Sequence, residues 1–215
     1  MKNKIFKFTY LLIFSLLCIN ANSQEQFNFD VTQIDIIEKG NTFIGTKRGI
    51  ITSNDGIVIE ADQFEYQKKL NILNASGNIK IIDRINNYEI YSDNITYDKN
   101  NNFLFTDKNS KALDFVNNIE ISADIFEYSI SKNIITAKKN AAIENKVENY
   151  KVESDEITYF RNKNKIFSKG KTIADIYSKY KFTSEDVTYL TTSKELSSIC
   201  LQKSTKNYYK RDRCI

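Results

Sequence analysis

The sequence predicts an all-β fold, an elongated, open-ended stack of antiparallel strands. Three observations predict it. A tyrosine recurs every 30 or 31 residues, the residues before it are apolar at alternate positions, and polar segments rich in Asn and Lys separate the units. Tyr66, Tyr97, Tyr128, Tyr159 and Tyr189 mark the repeat, with spacings of 31, 31, 31 and 30. Nine residues before each stand Ile57, Tyr88, Ile119, Tyr150 and Tyr180; seven before, Ile59, Ile90, Ile121, Val152 and Phe182; two before, Phe64, Ile95, Phe126, Ile157 and Val187. A unit of this size cannot bury its apolar face alone, so successive units stack.

Taken in chain order, residues 1–23 read as a signal peptide. Lys2, Lys4 and Lys7 precede the apolar run Phe8–Leu17, and Ala21-Asn22-Ser23 offers the small residues of a cleavage site before Gln24. The run is shorter than the roughly 20 residues a membrane-spanning helix needs. Export places the chain in an oxidising compartment, where Cys200 and Cys214 could pair. Residues 24–190 form the repeat domain, opening with an incomplete copy over 31–55 in which Asn41–Thr46 resembles the second half of a unit.

Within each full unit the positions nine, seven and five before the Tyr share one parity, as residues on one face of a strand do. Positions two before and zero are offset from them by one, so an extra residue is absorbed at a bulge or corner between the two halves. The residue five before is always small (Ala61, Ser92, Ala123, Ser154, Ser184), and an acid follows it (Asp62, Asp93, Asp124, Asp155, Glu185). A looser second half carries small residues at Ala75, Thr106, Ala137 and Ser168. Turn chemistry sits at 67–69, 98–100, 129–132 and 161–164, and again at Gly77-Asn78 and Gly170-Lys171. Each unit thus reads as about three short strands. Residues 191–215 form a basic tail in which the repeat is lost, as in a truncated or frame-shifted end.

Composition removes several functions. With no His, the Ser-His-Asp and Cys-His nucleophilic sites and all His-ligated metals are excluded, and 3 Cys cannot build a four-thiolate zinc site. The 6 Gly form no phosphate-cradling loop. The formal net charge of +4 hides a partition: the body 24–190 holds 22 basic and 25 acidic residues, a poor footprint for nucleic acid. No catalytic residue, metal site or cofactor is expected. The inward-facing set Ile57, Ile59, Phe64, Tyr66, Ile90, Ile95, Ile121, Phe126, Val152 and Ile157 is expected to border an apolar trough, with Glu65, Thr96, Glu127 and Thr158 pointing the other way. Unpaired edge strands at the two ends are surfaces for joining another chain.

The run Ser53–Tyr66 (SNDGIVIEADQFEY), followed by Leu70–Ile81 (LNILNASGNIKI), resembles the OstA-like repeats of lipopolysaccharide transport, and the resemblance returns in each unit over roughly residues 40–190. It is nearest to the periplasmic N-terminal domain of the outer-membrane assembly protein LptD and to the LptA/LptC-like β-jellyroll. The resemblance implies a two-leaved jellyroll, open at both ends, whose apolar groove carries the acyl chains of lipid A. It also implies residence in the periplasm at the outer membrane and edge-to-edge joining with other jellyrolls of a transport bridge. If the chain is a fragment, its continuation would be an outer-membrane barrel. Two other readings remain. A secreted β-solenoid with a structural or adhesive role would have a filled interior and no lipid. An enzyme would use Asp62, Asp93, Asp124 and Asp155 as acid and base, against which stands their regular recurrence, one per unit.

Overall fold

Each long central strand of this protein bends once, and the bends line up. The computed structural model describes residues 26–204, of which 199–204 are described by backbone alone, and over them one antiparallel sheet of sixteen strands runs from end to end. The opening strands are short: β1 (Phe27–Val31), β2 (Asp35–Ile37), β3 (Thr42–Gly45), β4 (Gly49–Ser53), β5 (Ile57–Ala61) and β6 (Gln63–Gln67). Then come five strands of 11 or 12 residues: β7 (Ile72–Asp83), β8 (Tyr88–Asp98), β9 (Phe103–Asp114), β10 (Ile119–Ser129), β11 (Ile134–Asn145), followed by β12 (Tyr150–Phe160), also of 11. β13 (Lys165–Lys169), β14 (Lys171–Ile176), β15 (Tyr180–Leu190) and β16 (Glu195–Ser204) complete the meander. The all-β expectation of stacked antiparallel strands holds, and pairing continues through β16, past the last repeat tyrosine.

The expected corner is present in each unit. In β8 the buried positions are Tyr88, Ile90 and Ser92, then Ile95 and Tyr97, so the inward parity flips across Asp93-Asn94. The return strand absorbs two residues: in β9 Leu104 and Thr106 are buried, then Ser110, Ala112 and Asp114. Left-handed backbone makes this room at Gly77-Asn78, Lys108-Asn109 and Lys139-Asn140. Neighbouring strands shift register at the same place, between Ser76 and Ile79, Tyr91 and Asn94, and Lys138 and Ala141. The sheet therefore folds over along a line crossing all its strands, giving two facing leaves joined at a keel. Units consist of two bent strands, not three short ones, because the chain passes the bend without leaving the sheet. Gly77-Asn78 accordingly marks the keel inside β7 and not a strand end, whereas Gly170 sits at the keel where β13 ends and β14 begins.

The recurring acid holds this bend. Asp62 accepts a hydrogen bond from Asn78 Nδ2 (2.6 Å), Asp93 from Asn109 (2.8 Å) and Asp124 from Asn140 (3.1 Å), always 16 residues ahead. In the last unit the bond is made by the neighbour of the recurring Glu185: the Gly170 N–H donates to Asp186 (2.8 Å). Inside the bend, where the leaves converge, only small side chains fit. The sites are filled by Ala61, Ala75, Ala123 and Ala137 and by Ser and Thr whose hydroxyls are satisfied locally: Thr106 with Ser110 (2.5 Å), Thr172 with Ser168 (2.8 Å), and Ser92 with the carbonyls of Asp107 and Lys108. Further from the keel the leaves diverge and the side chains grow to Ile, Leu and Phe, ending in Tyr at the rims. Burial of each large apolar group contributes about 1.5–3 kcal/mol.

At one end the sheet stops at β1 and β2, and at the other at β16. β1 fills the first end with rings: Phe27 lies 4.8 Å from Tyr66 and 5.7 Å from Tyr97, edge to face, and Phe29 stacks on Phe43 at 5.7 Å.

Candidate functional site

All ten residues expected to border the trough face the interior. Their exposures run from 0% at Ile59, Phe126 and Ile157 to 4% at Tyr66. Glu65, Thr96, Glu127 and Thr158 stand on the outer face, partly exposed. The space between the leaves is filled by these side chains themselves, together with Leu73, Ile81, Leu104, Ile135, Ile143 and Ile166. The trough is thus shut along its length over the described residues.

What shuts it is a seam between the two rims, built from side chains and not from a backbone ladder. One rim carries the turns 54–56, 84–87, 115–118, 146–149 and 177–179; the other carries 99–102, 130–133, 161–164 and 191–194. At the first crossing Tyr97 donates to Asp55 (2.8 Å), and Lys99 forms an ion pair with the same carboxylate. At the second, Tyr128 donates to Asp83 (2.6 Å) and Asn133 to Asn86 (3.0 Å). The third joins Tyr159 to Asp114 (3.1 Å), and Arg161 grips Asp114 through Nε (2.8 Å) and Nη2 (3.0 Å) while lying 5.0 Å over the Tyr88 ring. The fourth is the Lys194–Glu148 ion pair. Aromatic edges fill the same line, Tyr88 against Tyr128 at 5.5 Å and Tyr150 against Tyr189 at 5.2 Å.

Local turn chemistry presents the acceptors. Asp83 caps its own turn, accepting from the Ile85 and Asn86 N–H groups and from Asn86 Nδ2; Asp114 does the same with Val116 and Asn117. Each carboxylate therefore holds its turn with one side and the opposite rim with the other. Sequence reasoning does not single these residues out. The signal is there, as Asp83-Arg-Ile-Asn86, Asp114-Phe-Val-Asn117 and Asn145-Lys-Val-Glu148, 31 apart. It hid because a buried acid at a turn looks like an ordinary solvated one.

Burial pushes the phenols of Tyr97, Tyr128 and Tyr159 far above their usual value, reinforced by the facing carboxylates. Burial alone would raise the Asp55 carboxyl, but hydrogen bonds from Lys99, Ser53 and Tyr97 bring it below its ordinary value. Burial would likewise lower Arg161, and the Asp114 charge more than offsets it. The recurring acids Asp62, Asp93 and Asp124 sit at the keel, across the body from the seam, one per unit and each on its Asn partner, which is the place of a structural corner.

No protein-family profile matches this chain, and no curated protein matches it. Among solved structures, it is similar to LptH of Pseudomonas aeruginosa, described as the LptA-homologous periplasmic component of the conserved lipopolysaccharide transport device. That alignment has a TM-score of 0.48 and 10% identity, covering 53% of this chain and 82% of the other.

Proposed function

We propose that this protein is a periplasmic carrier of lipopolysaccharide at the outer membrane, which houses lipid A acyl chains between its leaves and joins partner jellyrolls through its edge strands. The observation that carries the proposal is a continuous apolar interior, running between two open sheet edges, whose long side is closed by side chains alone. An acyl chain of about a dozen carbons gains roughly 10 kcal/mol on leaving water, at about 0.8 kcal/mol per CH₂. The first three seam crossings hold two or three hydrogen bonds and the fourth one ion pair, at about 0.5–3 kcal/mol each, the upper end for charged ones. Entry of a chain can therefore offset the opening of a crossing, and the acyl chain takes over the contacts the leaves give up. The resemblance of the repeat to OstA-like sequences supports the cargo and the edge-to-edge partners.

Photocrosslinking tests the cargo. A photoreactive residue at Ile90, Ile121, Phe126 or Ile157 should label with lipopolysaccharide several times more strongly than one at Glu65, Thr96, Glu127 or Thr158, and equal yields would reject the assignment. The filled interior favours a second reading, a secreted structural or adhesive β-body without lipid. That reading holds if no interior position labels while the folded body persists.

A further inference from the structure

The turns of the first rim expose an apolar row that the proposed cargo site leaves unused. Their tips carry Ile85 (71% exposed), Phe115 (55%), Val116 (61%), Val147 (75%) and Tyr177 (42%), which are among the most exposed large apolar side chains described. Ile85, Val116 and Val147 recur at the 31-residue period, so strand spacing sets them about 10 Å apart along the body. No packing demand places them there: the core faces the other way, and a solvated hairpin tip would ordinarily be polar. Beside this row, on the tips themselves and across the seam, stand the exposed cations Arg84, Lys179, Lys132 and Lys163. None of these four is in an ion pair among the described residues.

The acids of the first rim are engaged in place. Asp55, Asp114 and Glu148 are each held by a cation of the opposite rim, and Asp83 lies buried under Tyr128. Asp98 and Glu195 are the other acids of the two rims. The ridge is therefore apolar and cationic on a body that carries more acids than bases. The keel differs, since Lys108 and Lys139 there alternate with Asp93, Asp107 and Asp124. Apolar tips flanked by unpaired cations match a surface with a negative phosphate layer over hydrocarbon.

We infer that the seam ridge is a docking surface for an anionic lipid membrane, seated by its apolar turn tips and held by the cations beside them. This goes beyond the carrier reading and does not depend on what the interior holds.

Vesicle flotation of the mature chain tests it, using phosphatidylcholine vesicles with and without phosphatidylglycerol. The protein should float with the mixed vesicles, remain behind with the neutral ones, and be released by salt. Ile85→Ser combined with Val116→Ser and Val147→Ser should abolish flotation while leaving thermal melting unchanged, because the tips touch no core. Lys132→Glu with Lys163→Glu should weaken partitioning by well over tenfold, at roughly fivefold for each cation lost. Lys108→Glu with Lys139→Glu, at the keel, should leave it nearly unchanged. Failure of the parent protein to float, flotation of the tip variant at the parent level, or an equal loss in the keel variant would each overturn the proposal. Interior photocrosslinking in the tip variant reports the carrier reading separately.

Discussion

Asp114 shows how much one side chain can hold in this fold. It is 2% exposed, caps a turn, accepts from Tyr159 and pairs with Arg161, itself nearly buried. Removing one partner of such a pair leaves a buried charge uncompensated, so Arg161→Ala is expected to cost about 3–5 kcal/mol. At about 2–4 °C per kcal/mol for a chain of this size, a calorimetric melt should fall by roughly 6–20 °C. Arg161→Lys should recover only part, because a point charge cannot make the forked contact. Tyr128→Phe removes a single hydroxyl donor and should cost about 1–2 kcal/mol. The tyrosines also set an alkaline limit. Their folded pKa values are raised, so their contribution is present below the ordinary value near 10 and is lost as pH rises through it. Absorbance at 295 nm should show exposed phenols ionising first, with Tyr88, Tyr97, Tyr128, Tyr150 and Tyr159 following in one cooperative step with unfolding. Early, graded ionisation of all tyrosines would contradict the buried seam. Asp55 acts in the opposite sense. Its folded pKa is depressed, so its contribution is present above the ordinary 3.8 and is lost as pH falls below it.

At the scale of the strand, the inward faces and the corner were both legible, because parity is rigid. A residue facing inward at Tyr88 forces Ile90 and Ser92 inward, and only an inserted residue lets Ile95 and Tyr97 follow. The two-residue insertion of the return strand was not legible, since it preserves parity and leaves only a weak mark, a polar pair in left-handed backbone. The same pair made Gly77-Asn78 look like a turn. Gly77 has φ near +79°, and a Cβ there would meet Asp62 Oδ2 at 2.8 Å. Gly77→Ala should therefore cost about 1–2 kcal/mol by strain and by displacing the Asp62–Asn78 bond, read as a lower urea midpoint with an unchanged slope. The hairpin turns at 84–87 and 115–118 are also missed by sequence reasoning, because Ile85 and Phe115-Val116 put apolar residues at the tips and mask the Asp and Asn pair that flank them. The interior set was readable as inward; that the leaves would meet was not, since it depends on tyrosines reaching acids 45 residues away.

For the whole molecule, the seam makes an accessible test of the carrier reading. With Cys200→Ser and Cys214→Ser as background, Asn86→Cys and Asn133→Cys place one thiol on each rim where the parent side chains touch at 3.0 Å. Joining them with a short bis-maleimide should abolish lipopolysaccharide labelling at Ile90 and Phe126 and leave edge-to-edge association intact, measured by native gel. Labelling that survives the closed link would mean that cargo does not pass between the rims. The crossings share one further property. Tyr128 reaches Asp83 and Tyr159 reaches Asp114, so each partner lies one unit and a half back along the chain. No unit completes its own closure. Two adjoining copies are the least that can close one, and a copy gained or lost by gene duplication or deletion would re-form the same contacts with its new neighbour. Length can thus change in whole increments of about 10 Å, like links in a chain, without redesign of any single joint.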